Sequence, residues 1–320
     1  MKNILKRKKE ADVYAPTETY RRNFKRNWQL YLMVLLPFIY VIIFEYFPMY
    51  GAQIAFKKFT PKYGIWNSPW VGLDNLMRFI KSIWFERTMF NTLILSVYSL
   101  VVGTPITVVL ALLINAITHP RLKKTVQMAT YLPHFISTVV IVGMMGMLFG
   151  SRTGLIGKLI FEMTGGEVSN IMGSPTAFRH MYVWSGVWQG TGWGTIIYLA
   201  NLSNVSGEQI EAAIVDGANR FKQMIYVEIP AIMPTFVIQL IMSLGGLMSR
   251  GYEKALLMQN PLNLEVSEII STYSYKVGLV MGSGDYSFGA AIGLFNSVIN
   301  FILLLTVNKI AHHVSETSLW

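Results

Sequence analysis

Six long apolar runs constrain this sequence more than any other feature. They lie at about Leu30–Tyr50, Thr88–Ile117, Val126–Phe149, Arg179–Leu202, Ile232–Met258 and Tyr286–Ile310. A helix rises 1.5 Å per residue, so roughly 20 residues cross the ~30 Å hydrocarbon layer of a bilayer. Composition agrees: 52% of the 320 residues are hydrophobic and 14% charged, against about 25% charged in soluble domains. So few charges could not cover the surface of a soluble chain this long. Disorder, a collagen-like repeat and a disulfide scaffold are excluded on the same grounds. With no cysteine at all, thiolate metal sites and cysteine nucleophiles are excluded too. The expectation is an all-α integral membrane protein with six transmembrane helices.

The net charge of +10 is concentrated at one end. Residues 1–29 carry nine Lys and Arg against three acidic residues, a local excess of six. Basic flanks stay in the cytoplasm, which places the N-terminus there, and an even number of spans returns the C-terminus to the same side. Juxtamembrane lysines beside anionic lipid account for this cluster more simply than nucleic acid does. The first apolar run has no small-residue cleavage site and is expected to remain as an anchor. The chain thus divides into a basic segment, 1–29, and a membrane domain, 30–320. Loops 119–125 and 203–231 fall on the inner side; 52–87, 150–178 and 259–285 fall on the outer side. Within the first outer segment, Leu76, Phe79, Ile80 and Ile83 recur at helical spacing, which predicts one amphipathic interfacial helix over Leu73–Phe85.

The loop at 203–231 carries the most specific pattern. Ser206 suits an N-cap with Glu208 in the first turn. Ile210, Ala213 and Ile214 share a face, and Gly217 supplies the left-handed residue that ends a helix. A second short helix is expected from Arg220 to Val227, with Pro230 stopping it. Glu211-Ala212-Ala213, then Asp216-Gly217-Ala218, then Val227-x-Ile229-Pro230 resembles the EAA loop of permease subunits in ATP-binding-cassette importers. Val227 and Ile229 stand where that family usually has Ile and Leu, and Asp216 is similar to its carbohydrate branch. Leu36-Pro37, Phe47-Pro48-Met49-Tyr50-Gly51, Pro69-Trp70-Val71-Gly72-Leu73-Asp74-Asn75, Asn91-Thr92 and Thr272-Tyr273-Ser274-Tyr275 look like the LplB-like, polysaccharide-type sugar permeases.

The resemblance implies a type I importer permease fold (MetI-like) in a bacterial cytoplasmic membrane. It also implies a second permease subunit, two ATPase subunits and an extracytoplasmic solute-binding protein. Glu211, Ala212, Ala213, Asp216, Gly217, Arg220 and Pro230 would couple the chain to the ATPase. No phosphate-binding GxxxxGK[ST] loop occurs, so ATP and Mg belong to the partner ATPase, and this chain is expected to hold no cofactor and catalyse no reaction. The implied cargo is an oligosaccharide, with uronate-containing ones a candidate class. Because the EAA loop serves importers of many solutes, another solute is the nearest alternative. A membrane-embedded glycan or lipid transferase is a further one, and it would need Glu208, Glu211, Asp216 and Glu228 to converge.

Sugars present flat apolar faces and hydroxyls. Trp184, Trp188, Gln189 and Trp193, interspersed with Gly190, Gly192 and Gly194, are therefore candidates for the substrate pathway, with interface anchoring and helix packing as the other reading. Arg250, Glu253 and Lys254 are costly in hydrocarbon unless paired or wet. They read as an outer gate that could face an acidic sugar, or as residues above the membrane. Tyr273 is a candidate contact in the last outer loop. The five histidines are scattered and suggest no metal site.

Overall fold

The computed structural model describes residues 22–150, 154–164, 170–249, 251–280, 284–315 and 318–319. The basic cluster before residue 22, and Arg250 of the candidate gate, lie outside these. Among the described residues the chain is helical, with a single isolated β-bridge between Lys57 and Trp70. The helices that matter below are α1 (Trp28–Val41), α2 (Asp74–Ile80), α3 (Ile83–Ala116), α4 (Pro120–Tyr131), α5 (Thr138–Phe149), α6 (Pro175–Leu202), α7 (Gly207–Val215), α8 (Arg220–Gln223), α9 (Ile229–Gly245), α10 (Tyr252–Met258) and α11 (Tyr286–Ser315).

Four stretches are long and apolar enough to cross a membrane: Trp28–Phe56, Ile83–Ala116, Arg220–Gly245 and Tyr286–His313. A fifth is counted if Pro120–Phe135 and Thr138–Phe149, which meet at 94°, form one bent span. The remaining expected span corresponds to α6. Its 28 residues are long enough, but glycine, serine, threonine and glutamine dilute its apolarity.

Helices α3 and α6 lie side by side and run parallel. Leu95 meets Phe178, Tyr182 and Val183 in one apolar cluster, and Ala111 and Leu112 meet Tyr198 and Leu202 in another. Their first ends are tied by Arg179, which donates to the Asn91 side-chain oxygen at 3.2 Å, while the Asn91 amide donates to the carbonyls of Glu265 (2.8 Å) and Glu268 (3.1 Å). The Thr92 hydroxyl accepts from the amide of Ile270 at 3.0 Å. There the buried Glu268 carboxylate faces Arg87 at 3.4 Å and Lys276 at 3.2 Å. Helix α9 begins at the opposite end, where Ile232 joins the Leu112–Tyr198 cluster, and returns between the others. The apolar window of the first span has 0% of its residues buried; the chain joins the bundle only at Tyr50–Phe56, where Ala55 is buried.

Three expectations are corrected. Leu73–Phe85 is not one helix: α2 ends at Ile80 and α3 starts at Ile83, and Phe79 turns into the core against Phe85, Tyr273, Phe288 and Phe295. The 126–149 run is broken. A 3₁₀ turn at Leu132–Phe135 contains Pro133, and the Ser137 hydroxyl then accepts from the amide of Val140 to start α5 afresh. The 232–258 run also stops early, at Gly245. Side chains from other helices satisfy the interrupted backbone: the Ser96 hydroxyl donates to the Leu247 carbonyl (2.6 Å), and Asn300 accepts from the Met248 amide (2.9 Å). Asn296 and Asn300 both donate to the Ser249 hydroxyl. Non-helical backbone at membrane depth is tolerated only when such partners are supplied.

Candidate functional site

Two regions qualify, one at each level of the bundle. The first is the loop between α6 and α9. The Ser206 hydroxyl accepts from the amide of Gln209 at 3.3 Å and starts α7. At its other end, the Ala218 amide donates to the Ala213 carbonyl (2.9 Å) and the Gly217 amide to the Ile214 carbonyl (3.0 Å). That pair is a Schellman cap, and it needs the left-handed φ of +76° that Gly217 has. Asn219 then caps α8, its side-chain oxygen accepting from the Lys222 amide at 2.9 Å.

Pro230 does not stop the second helix. A π-helical turn over Met224–Glu228 follows α8 directly, and Pro230 falls in the first turn of α9, so Arg220–Gly245 is one continuous helical piece. A proline lacks an amide N–H, and the widened turn before it removes the need for one.

Arg220 folds back onto this turn. Its guanidinium donates to Glu228 Oε1 at 2.6 Å, and Glu228 is 1% exposed. The Asn115 amide at the end of α3 donates to the same oxygen at 3.0 Å, and Lys123 of α4 donates to Asn115 at 3.3 Å. One carboxylate thus ties the loop to the ends of two helices. Glu211, Ala212, Asp216 and Gly217 face outward, and Ala213 is half-buried. Ile214, Val215 and Phe221 are exposed as well, an apolar patch on short helices. Glu208, Glu211 and Asp216 are exposed while Glu228 is buried. Among the described residues no three His, Cys, Asp or Glu side chains group as metal ligands do.

The second region is a cavity of about 710 Å³ between α3, α6, α9 and α10. It follows α6 from Tyr182 to Tyr198, a rise of about 24 Å. Gly190 leaves the wall of α6 open, Gly194 lets α6 pack closely on Thr107 of α3, and Thr104 and Thr107 of α3, Gln239 and Ser243 of α9, and Lys254 of α10 supply the polar groups of the lining. Gly192 points elsewhere and packs against α4, where a Cβ would overlap the Thr130 carbonyl. Trp193 lines the cavity and stacks on His134 with centroids 4.6 Å apart and planes at 4°.

The candidate pathway residues are therefore separated. Trp193 is on the polar cavity. Trp184 and Trp188 border a different, apolar cleft of about 460 Å³ with Met144 and Leu148. Gln189 donates to the Ile136 carbonyl at 2.9 Å and secures the bend before α5. Tyr273 lies in the apolar core with Phe79 and Phe288 and is not among the cavity-lining residues. Lys254 is buried in the wall rather than paired with exposed Glu253. The polar positions of α3 had a sequence signal, since Ser99, Gly103, Thr104 and Thr107 interrupt an apolar run at helical spacing. The His134–Trp193 pair had none, because its members come from distant elements.

A helical membrane chain with a capped helix–glycine–helix loop outside its apolar spans and a polar cavity between them has the architecture of a transport component. The chain belongs to the family of binding-protein-dependent transport system inner membrane components, whose signature matches residues 85–315. It is 38% identical to protein LplB of Bacillus subtilis (strain 168) over 98% of each chain. It is also 38% identical to the polygalacturonan/rhamnogalacturonan transport system permease protein YteP of the same organism, over 91% of this chain and 90% of that one. A crystal structure of a bacterial ABC transporter involved in import of the acidic polysaccharide alginate superposes with a TM-score of 0.82 at 33% identity, covering 93% of this chain and 99% of that chain. A second structure, of a bacterial alginate transporter in complex with a periplasmic protein bound to an alginate pentasaccharide, gives the same values.

Proposed function

We propose that this chain is one of two permease subunits in an ATP-driven, binding-protein-dependent importer of acidic oligosaccharides. In this reading α6 is the sixth span, both termini are cytoplasmic, and the 203–231 loop docks on an ATPase subunit that binds ATP and Mg. A second permease or lipid covers the otherwise bare first helix, and an extracytoplasmic binding protein delivers the sugar at the opposite end.

The observation that carries the reading is the loop itself. It is capped and glycine-turned, presents Ile214, Val215 and Phe221 to the outside, and continues without a break into α9. Exposed apolar residues on a rigid protrusion mark a protein contact. Closure of the ATPase pair on nucleotide would displace the loop as a body, and the continuous α8–α9 piece would carry that displacement into the bundle. The acidic cargo is supported by the polygalacturonan and rhamnogalacturonan named for YteP and the alginate of the structural neighbour, and by the polar groups lining the cavity.

Co-purification from the native membrane in mild detergent tests this. The expected partners are an ATPase, a second multi-span permease and a solute-binding protein. Recovery of the intact chain alone would refute the subunit reading.

A further inference from the structure

The cavity wall contains a cation that pairs with no anion among the described residues. Lys254, 8% exposed, lines the cavity from α10. Its Nζ donates to the backbone carbonyl of Tyr182 at 2.7 Å and lies 5.1 Å from the centroid of the Tyr182 ring. Arg78, Arg87, Arg220 and Lys276 form the carboxylate pairs found among the described residues; Lys254 is in none of them. The site is shaped around the ammonium, since a Cβ on Gly186 would lie 3.3 Å from Nζ. Burying an ammonium against a carbonyl and a ring face leaves most of its lost hydration uncompensated. A visiting carboxylate would supply the missing charge.

We propose that Lys254 is the specificity-determining counter-charge for a carboxylate of an acidic oligosaccharide passing through the cavity. This rests on the reading of the chain as an acidic-oligosaccharide importer. The stacked His134–Trp193 pair lies about 10 Å further along α6, counted from Gly186, on the same cavity. It offers a flat apolar surface to a sugar ring while Lys254 holds a carboxylate. Charge and ring face are then recognised separately, and only the first depends on the substrate being acidic.

The test uses the complete importer in proteoliposomes with its binding protein. The probes are tetragalacturonate and the same tetrasaccharide with its carboxyls reduced to alcohols. Lys254→Gln should lower uptake of the acidic probe at subsaturating concentration by at least about tenfold, the scale of a lost charge-assisted hydrogen bond. Uptake of the reduced probe should stay within about twofold of wild type. ATPase stimulation by binding protein loaded with the reduced probe should persist, which shows that the variant is assembled. If Lys254→Gln fails to assemble, Gly186→Ala crowds the same ammonium and should lower the ratio of acidic to reduced-probe uptake about threefold. An equal loss on both probes, or no loss on either, overturns the role of Lys254 while leaving the importer reading intact. Wild-type preference for the reduced probe would instead overturn the acidic-cargo reading.

Discussion

Arg220→Ala and Glu228→Gln attack the same ion pair from its two ends, and the structure makes their costs unequal. Glu228 is 1% exposed at its side chain and Arg220 is 39% exposed. Removing the arginine leaves a buried carboxylate that still accepts from Asn115. Stripping one partner from a fully buried pair costs about 3–5 kcal/mol. The exposed side of Arg220 lets water reach the site and lowers the figure to about 1–3 kcal/mol. Glu228→Gln keeps the shape and an acceptor for Asn115, and the arginine it frees already touches solvent, so its cost is about 1 kcal/mol or less. The double variant should be no less stable than Arg220→Ala alone, because the stranded charge is gone. Thermal unfolding of the purified complex, followed by cleavage within the 203–231 loop, reads all three. Uptake should fall more than ATP hydrolysis in Arg220→Ala, since the pair joins the loop to α9 directly and to α3 through Asn115. Equal losses from both single variants, or strict additivity in the double, would refute the buried-charge argument.

Gly217→Val should leave the protein inserted but drop sugar uptake well below ATP hydrolysis. No atom obstructs a Cβ there, so the penalty is the left-handed φ alone, about 1–2 kcal/mol and more for a β-branched residue; unchanged uptake would count against the turn as the docking element. Gly192→Ala should lower the unfolding temperature of the complex, because its Cβ would meet the Thr130 carbonyl, whereas Gly190→Ala, with nothing within 4 Å, should be neutral or gain up to about 1 kcal/mol of helix propensity. Similar melting of the two would remove the case for close α4–α6 packing.

The helix–turn–helix form of the 203–231 loop was legible in the sequence because its determinants are local. Ser206 and Gly217 each act within four residues of where they stand, and the structure has them as cap and left-handed turn; the Asn219 cap, equally local, was not read. The breaks inside the apolar runs were not legible. Charges do follow Gly245 at Arg250, Glu253 and Lys254, but what permits the chain to leave the helix at Gly245 itself is Asn296, Asn300 and Ser96, residues 47 to 151 positions away in sequence. Pro230 misled for a related reason. A proline ends a regular α-helix, but a π turn placed just before it absorbs the missing donor. Helical spacing already sets Trp193 about 140° to 180° around α6 from Trp188 and Trp184, but only the three-dimensional arrangement shows which of the two faces meets the larger cavity.

The two candidate regions are mechanically connected through one helix and divided by one break. Helix α9 starts at the buried Glu228 pair and presents Gln239 and Ser243 to the cavity, about 16 Å further along. Pro234 lies between them. Beyond Gly245 the chain is interrupted, so α10 is not an extension of that lever. Lys254 is fastened to α6 instead, through the Tyr182 carbonyl. A displacement entering at Arg220 would therefore shift Gln239 and Ser243 past a wall that still carries Lys254 and Trp193. The cavity would change by sliding one polar wall along the other, rather than by dilating uniformly, and a cargo held at Lys254 would keep its charge contact while its neutral hydroxyl partners were exchanged.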